Sequence, residues 1–349
     1  MQTLWFILVA FMLIMYVLLD GFDLGAGAIH LFVARTDEER RIVLRAIGPV
    51  WDGNEVWIIA AGGTLFFTFP LLYSSSFSGF YLPLMIVLWL LMLRGVAVEL
   101  RSRVPHPLWH SFWDFLFFLG SALLAIFYGA ALGNVMRGVP LRPNQYFFEA
   151  LWTDFNPYSA NPGILDWYTV LIGLMALVVL IAHGANYIAV KTEGDLNQRA
   201  RRFARWAWFA TIVLTIVATI ITFSVQPLLA TSFLTRPWGF IFPIIALAGL
   251  VGMGYFNIKQ RDLPALFSSG AFILGMLASS AFGLYPDVLP AVQPAYSLTI
   301  YNASAGNYGL TVGLVWWCIG IVLAIIYFVL TYRLFWGKIT LKQALAEEY

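Results

Sequence analysis

Seven residues, Trp51 to Trp57 (WDGNEVW), place two carboxylates, Asp52 and Glu55, about one helical turn apart around the amide of Asn54. They open an apolar run that continues as IIAAGGTLFFTFPLLY to Tyr73. A charged side chain at the centre of a bilayer costs at least about 2.5–3.5 kcal/mol, so acids in such a run require a reason. Ionisable groups inside membrane segments face a bundle interior or an aqueous path, and chains of carboxylates are the usual material of proton relays. Burial raises a carboxylate's pKa, which lets it take up a proton near neutral pH and hand it on.

The surrounding chain supports a bilayer setting. Of 349 residues 61% are hydrophobic and only 11% charged, with a mean hydropathy of +0.81, so the chain is an integral membrane protein. A net charge of +2 and the lack of a basic run give no footprint for nucleic acid. A span needs about 20 mostly apolar residues. Such runs fall near 4–33, 50–73, 79–100, 113–133, 165–190, 206–226, 238–257, 263–284 and 308–336. The expected fold is therefore an all-α polytopic membrane protein of about nine transmembrane helices, arranged as two four-helix bundles plus one extra helix. Residues 1–133 would form the first bundle and 165–284 the second, with 308–336 as the last helix, all within one membrane domain. The first run lacks a basic leader and a cleavage site and reads as a retained span. Gly21, Gly25 and Gly27 around Asp20 and Asp23 predict an irregular centre there, where glycine also permits close helix contact.

Most of the 20 Lys and Arg residues fall in connections after odd-numbered spans or in the C-terminal tail, among them Arg40, Arg101, Arg201, Lys259 and Lys342. The positive-inside rule then puts the C-terminus in the cytoplasm and the N-terminus outside. The proline-rich stretch 134–164 becomes an ordered extracytoplasmic loop, and 285–308 a second one. LLDGFDLG before ARTDEERR is echoed by IAHGANYI before VKTEGDLNQRARR, either an internal repeat or a shared way of ending a span.

On this topology Asp20, Asp23, Asp52, Glu55 and Glu99 gather in the cytoplasmic half of the first three spans with one base, Arg94. Asp114 starts the fourth span on the same side, whereas the interiors of the later spans hold only His183. Arg94 is expected to act structurally, neutralising Glu99 or Asp52, but one arginine cannot balance five carboxylates. Asp20 and Asp23 either relay protons or brace helix ends. His30, His106, His110 and His183 read as lone polar contacts, leaving no haem site or metal site in this chain. The single cysteine, Cys318, excludes a disulfide framework. No nucleotide loop or nucleophile triad is present. An alternative use of the acids is a secondary ion or solute transporter with a midplane site. Their one-sided placement disfavours it, because alternating access needs polar access from both faces. A structural scaffold would leave the buried acids unexplained.

DGFDLGAG (Asp20–Gly27), DEERR (Asp37–Arg41), IGPVWDGNEVW with its trailing AAGG (Ile47–Gly63) and SGFYLPL (Ser78–Leu84) together resemble subunit II of the cytochrome bd quinol oxidases in order and spacing. The first hundred residues carry this likeness; the second half shares hydropathy more than motif. The resemblance implies a non-haem core subunit beside a partner subunit I that holds two b haems, haem d and the quinol site. Together they would oxidise quinol and reduce dioxygen to water, sometimes with a small single-helix subunit. It further implies that this chain supports assembly and lines a path carrying cytoplasmic protons to the oxygen-reducing haem, and that a structural quinone is bound in some members. By position, Asp52 and Glu99 match path acids, Asp20 and Asp23 match the family's acidic pair, and Leu19 stands where some members have threonine. Glu55 falls where some relatives carry glutamine. Trp51, Asn54 and Trp57 frame Asp52 and Glu55, and with Arg94 complete the expected site.

Overall fold

The computed structural model describes residues 1–339, so Lys342 lies outside the described residues. The first half comprises α1 (Gln2–Val33), α2 (Asp37–Ile47), α3 (Trp51–Thr68), α4 (Pro70–Gly79), α5 (Tyr81–Leu100) and α6 (Pro107–Arg137). After the loop 138–166 come α7 (Trp167–Lys191), α8 (Gly194–Val225), α9 (Leu228–Thr235), α10 (Ile241–Ile258), α11 (Asp262–Leu284) and α12 (Asn307–Leu334). Between α11 and α12 an antiparallel pair, β1 (Asp287–Leu289) and β2 (Leu298–Thr299), orders the second long loop.

Among the described residues, eight helical segments are long and apolar enough to cross a membrane: α1, α5, α6, α7, α8, Pro237–Ile258, α11 and α12. The remaining expected span, 50–73, is realised as α3 and α4, divided at Phe69–Pro70. Proline there has no N–H to continue the ladder. Asp52, Asn54 and Glu55 lower the hydropathy of α3 itself. This helix runs antiparallel to α1: Asn54 meets Leu19 and Asp23, Thr64 meets Met12, and Phe67 packs on Trp5.

The irregular centre expected in the first span is absent. α1 is unbroken through Asp20–Gly27, because its glycines serve helix approach. A Cβ on Gly25 would lie 1.8 Å from the carbonyl oxygen of Leu180 on α7, and one on Gly184 would lie 2.3 Å from the Ala26 nitrogen. Between membrane helices, where lipid tails are as apolar as leucine, such backbone proximity supplies the packing attraction. The two segments that echo each other in sequence thus meet face to face. α1 also packs on α3 and α6, and α5 on α6, while α7 packs on α8 and α11, and α10 on α11. α12 lies outside, touching α3 through Tyr327, Phe328 and Tyr332.

At the end bearing the expected cytoplasmic loops, α2 begins with a capping box, Thr36 with Glu39, which satisfies free helix N–H groups. Its Val43, Leu44 and Ile47 are buried in one cluster with Tyr187, Ile188 and Leu196.

Candidate functional site

Asp20 of α1 is fully buried and accepts two hydrogen bonds from Arg94 of α5, at 2.7 and 2.9 Å. The forked guanidinium matches a carboxylate bidentately, the strongest form of this pairing. α6 packs on this stretch of α5 at Gly120, where a Cβ would sit 3.3 Å from the Leu90 carbonyl oxygen. The same guanidinium lies 3.6 Å from Glu55 of α3 and 6.0 Å from the centre of the Trp51 ring. Arg94 therefore pairs with Asp20 and approaches Glu55, not Glu99 or Asp52 as expected.

Beside it, Asp23 accepts a 2.8 Å hydrogen bond from the Asn54 amide, which also reaches the Leu19 carbonyl. The Asn54 oxygen accepts from the Tyr332 hydroxyl of α12 at 2.9 Å. The second oxygen of Asp23 is buried with no hydrogen-bond partner among the described residues. One turn before Asp20, Tyr16 donates to Tyr128 of α6 at 2.9 Å. Asp52, exposed in the first turn of α3, lies one turn from Glu55. Glu99 is exposed on α5, and no hydrogen bond or ion pair among the described residues joins it to this cluster. Trp57 is buried between Phe11 and Phe328. The structure thus gathers Asp20, Asp23, Trp51, Asn54, Glu55 and Arg94, and leaves Glu99 on the outer face.

A second network closes the end that carries α2 and was not foreseen. Asp114 of α6 accepts from Arg101 at 2.6 and 3.1 Å and from Arg40 at 3.0 Å, with His30 at 3.4 Å. Arg101 also bonds Asp37 at 2.7 Å, and Asp37 lies 3.1 Å from His110. Partial burial of Asp37 is outweighed by the bonds and charge of Arg101 and Arg41, which hold its carboxyl below the usual range. Glu39 is likewise held down, its partial burial outweighed by the Arg35 N–H and by Arg199. Charged residues in loops announce nothing about partners, so only their abundance near 37–41 hinted at this clamp.

At the opposite end, Arg137 gathers Glu149 at 3.0 Å, Asn134 at 2.7 Å, the Gly163 carbonyl and Asp166. Asp166 also caps α7 through the Tyr168 and Thr169 N–H groups. One cation serves two buried carboxylates here. Burial pushes Glu149 up to about 8, with Arg137 opposing and Asp166 adding to the rise.

His30 is engaged at both ring nitrogens, by the Gly27 carbonyl and Asp114. His183 is engaged likewise by Ser269 and the Leu18 carbonyl. Neither offers a free nitrogen, so these histidines do not fit haem ligation. Among the described residues no group of three or more His, Cys, Asp or Glu is placed to hold a metal ion. Two crevices, of about 290 and 220 Å³, each hold the Asp287 carboxylate and a guanidinium, Arg236 or Arg137, in their walls.

A helical multi-pass membrane protein with a partly compensated ionic cluster inside its first helices is the class these features define. The family described as cytochrome bd terminal oxidase subunit II matches residues 1–335. The probable cytochrome oxidase subunit 2 of Haemophilus influenzae is 30% identical over 97% of this chain and 95% of its own length. The cytochrome bd ubiquinol oxidase subunit 2 of Bacillus subtilis is 32% identical over 89% of each chain. The Escherichia coli cytochrome bd-I ubiquinol oxidase subunit 2 is 37% identical over 61% of this chain and 55% of its own length. A chain of the bd oxidase structure from Geobacillus thermodenitrificans superposes with a TM-score of 0.74 at 17% identity, covering 96% of this chain and 98% of that one, a likeness of fold. The chain belongs to the cytochrome bd terminal oxidase subunit II family. It is a multi-pass protein of the cytoplasmic membrane with a role in a quinol-oxidase complex, and this membership replaces the transporter reading that buried acids alone left open.

Proposed function

We propose that this chain is the non-haem core subunit of a complex that oxidises quinol and reduces dioxygen to water, beside a subunit I that carries haem b and haem d. In that complex its acidic cluster carries protons from the cytoplasm toward the partner, and its helices support assembly. The carrying observation is the position of Glu55: it stands 3.6 Å from a buried guanidinium already engaged bidentately by Asp20, yet its side chain keeps 16% of its surface exposed. A carboxylate only loosely held by a cation, at the edge of the packed bundle, can exchange a proton between the interior and a neighbouring chain.

Asp52 receives the proton in the first turn of α3 and Glu55 takes it one turn further. Asp20, held in the Arg94 fork, fixes the cation that stands beside Glu55. Asp23, with one oxygen free, and the Asn54–Tyr332 pair form a side branch. Glu99, exposed on α5, belongs to the face that the partner covers. Haem supplies the oxygen chemistry from the partner. The N-terminus lies outside and the C-terminus in the cytoplasm, residues 1–133 and 165–284 act as two bundles, and α12 is the extra helix.

The test is to isolate the tagged chain from its native membrane, record a reduced-minus-oxidised visible spectrum, and follow oxygen uptake with a quinol. A co-purifying subunit with b- and d-type bands and quinol-dependent uptake is expected. A colourless single chain under mild detergent would overturn the proposal.

A further inference from the structure

The loop-rich end of the bundle, opposite α2, carries a feature that proton transfer does not use. Two crevices of about 290 and 220 Å³ adjoin there, both lined by Gln226, Leu228, Asp287 and Pro290. Gln226 is fixed between them by its 3.1 Å bond to the Met136 carbonyl. Asp287 is half-buried, and among the described residues its carboxylate makes no hydrogen bond or ion pair. Burial pushes its carboxyl above the usual carboxylate range, as it must for an acid taken from water without a cation.

The larger crevice has the opposite charge in its wall. Arg236 packs on Phe282 and Tyr285, 4.9 and 5.1 Å from the ring centres. It spends one donor nitrogen on the Tyr285 carbonyl at 2.8 Å. Its other N–H groups, and the hydroxyls of Thr231 and Ser232 on the same wall, donate no hydrogen bond among the described residues. Unused anion donors and an unpaired carboxylate thus share one pocket without touching each other. That pattern complements a molecule bearing an anion and a cation a few bonds apart.

Trp238 and Tyr158 are exposed near the crevice, and aromatic side chains of this kind mark the membrane interface. Exposed Leu228 and Leu234 lead from its mouth along the apolar flank of α8 and α9, a surface suited to acyl chains.

We propose that this crevice binds the phosphoethanolamine headgroup of a membrane lipid, with the phosphate on Arg236, Thr231 and Ser232 and the ammonium on Asp287. The assignment stands independently of the proton path.

The complex isolated from its membrane, stripped of loosely held lipid by detergent, is titrated with phosphatidylethanolamine or phosphatidylglycerol of identical acyl chains, and bound lipid is counted by native mass spectrometry. Phosphatidylethanolamine should bind about tenfold better, the value of one charged hydrogen bond, and Asp287→Asn should reduce that preference to near one. Equal binding of the two lipids by the wild type would overturn the proposal without recourse to the variant, as would an undiminished preference in Asp287→Asn. Soluble phosphoethanolamine at matched concentration should not displace the lipid. Displacement would make the ligand the free zwitterion and overturn the lipid assignment.

Discussion

Arg94 on α5 grips Asp20 on α1 through two hydrogen bonds of 2.7 and 2.9 Å, although the residues are 74 positions apart and both are almost wholly buried. This fork joins two helices at a depth where neither charge could stand alone, since an isolated ion in a low-dielectric interior is strongly disfavoured.

Arg94→Leu should therefore reduce assembly. Removing one partner of a buried pair costs about 3–5 kcal/mol because the other charge is left uncompensated, and here Asp20 and Glu55 are both affected. Yield of the complex and its thermal midpoint should fall, and Asp20→Leu added to Arg94→Leu should recover part of the loss. Unchanged yield and midpoint in the single variant would contradict the structural role.

Asp52→Asn should leave the complex assembled with normal haem content and slow quinol-driven oxygen uptake by about tenfold or more, since a positioned proton carrier contributes at least that much. Glu55→Gln should act in the same direction. Full uptake per haem in both variants would remove these carboxylates from the path.

Gly184→Val tests the α1–α7 crossing. A Cβ at Gly184 already falls 2.3–2.7 Å from backbone atoms of Gly25 and Ala26, so a branched side chain must push the helices apart. Complex yield should drop severalfold, whereas Gly62→Val, where a Cβ meets nothing within 4 Å, should be tolerated. Equal yields of the two variants would show that the close approach is not needed.

The Arg137 knot should loosen as pH rises. Glu149 titrates at about 8 in the fold against 4.5 as its reference value, so between those values the folded chain holds a proton that the unfolded chain has released. Stability is fully present below about 4.5 and declines as pH rises toward 8. Hydrogen exchange of residues 138–166 should quicken between pH 6 and pH 9 beyond the intrinsic rate, and Glu149→Gln should flatten that trend. A pH-independent protection in the wild type would count against a proton held on Glu149 beside Arg137.

Local composition alone determined that the chain is a helical membrane protein, that its acids concentrate in the first three spans with Arg94, and that the stretches around Asp20, Asp52 and Ser78 carry a family pattern. Hydropathy is a property of short windows, and motifs are contiguous, so both are visible without a fold. Pairing was not. The spans are apolar on every side, so no amphipathic stripe tells which way Arg94 or Glu99 points, and only helix rotation and crossing assign Arg94 to Asp20 and leave Glu99 outside. The Tyr332 hydroxyl reaches Asn54 across 278 residues, and Asp114 is shared by Arg40 and Arg101, contacts that no periodicity encodes. The glycines of α1 predict a break when read locally; packed against Leu180 and Gly184, they let an unbroken helix come within backbone contact of its neighbour.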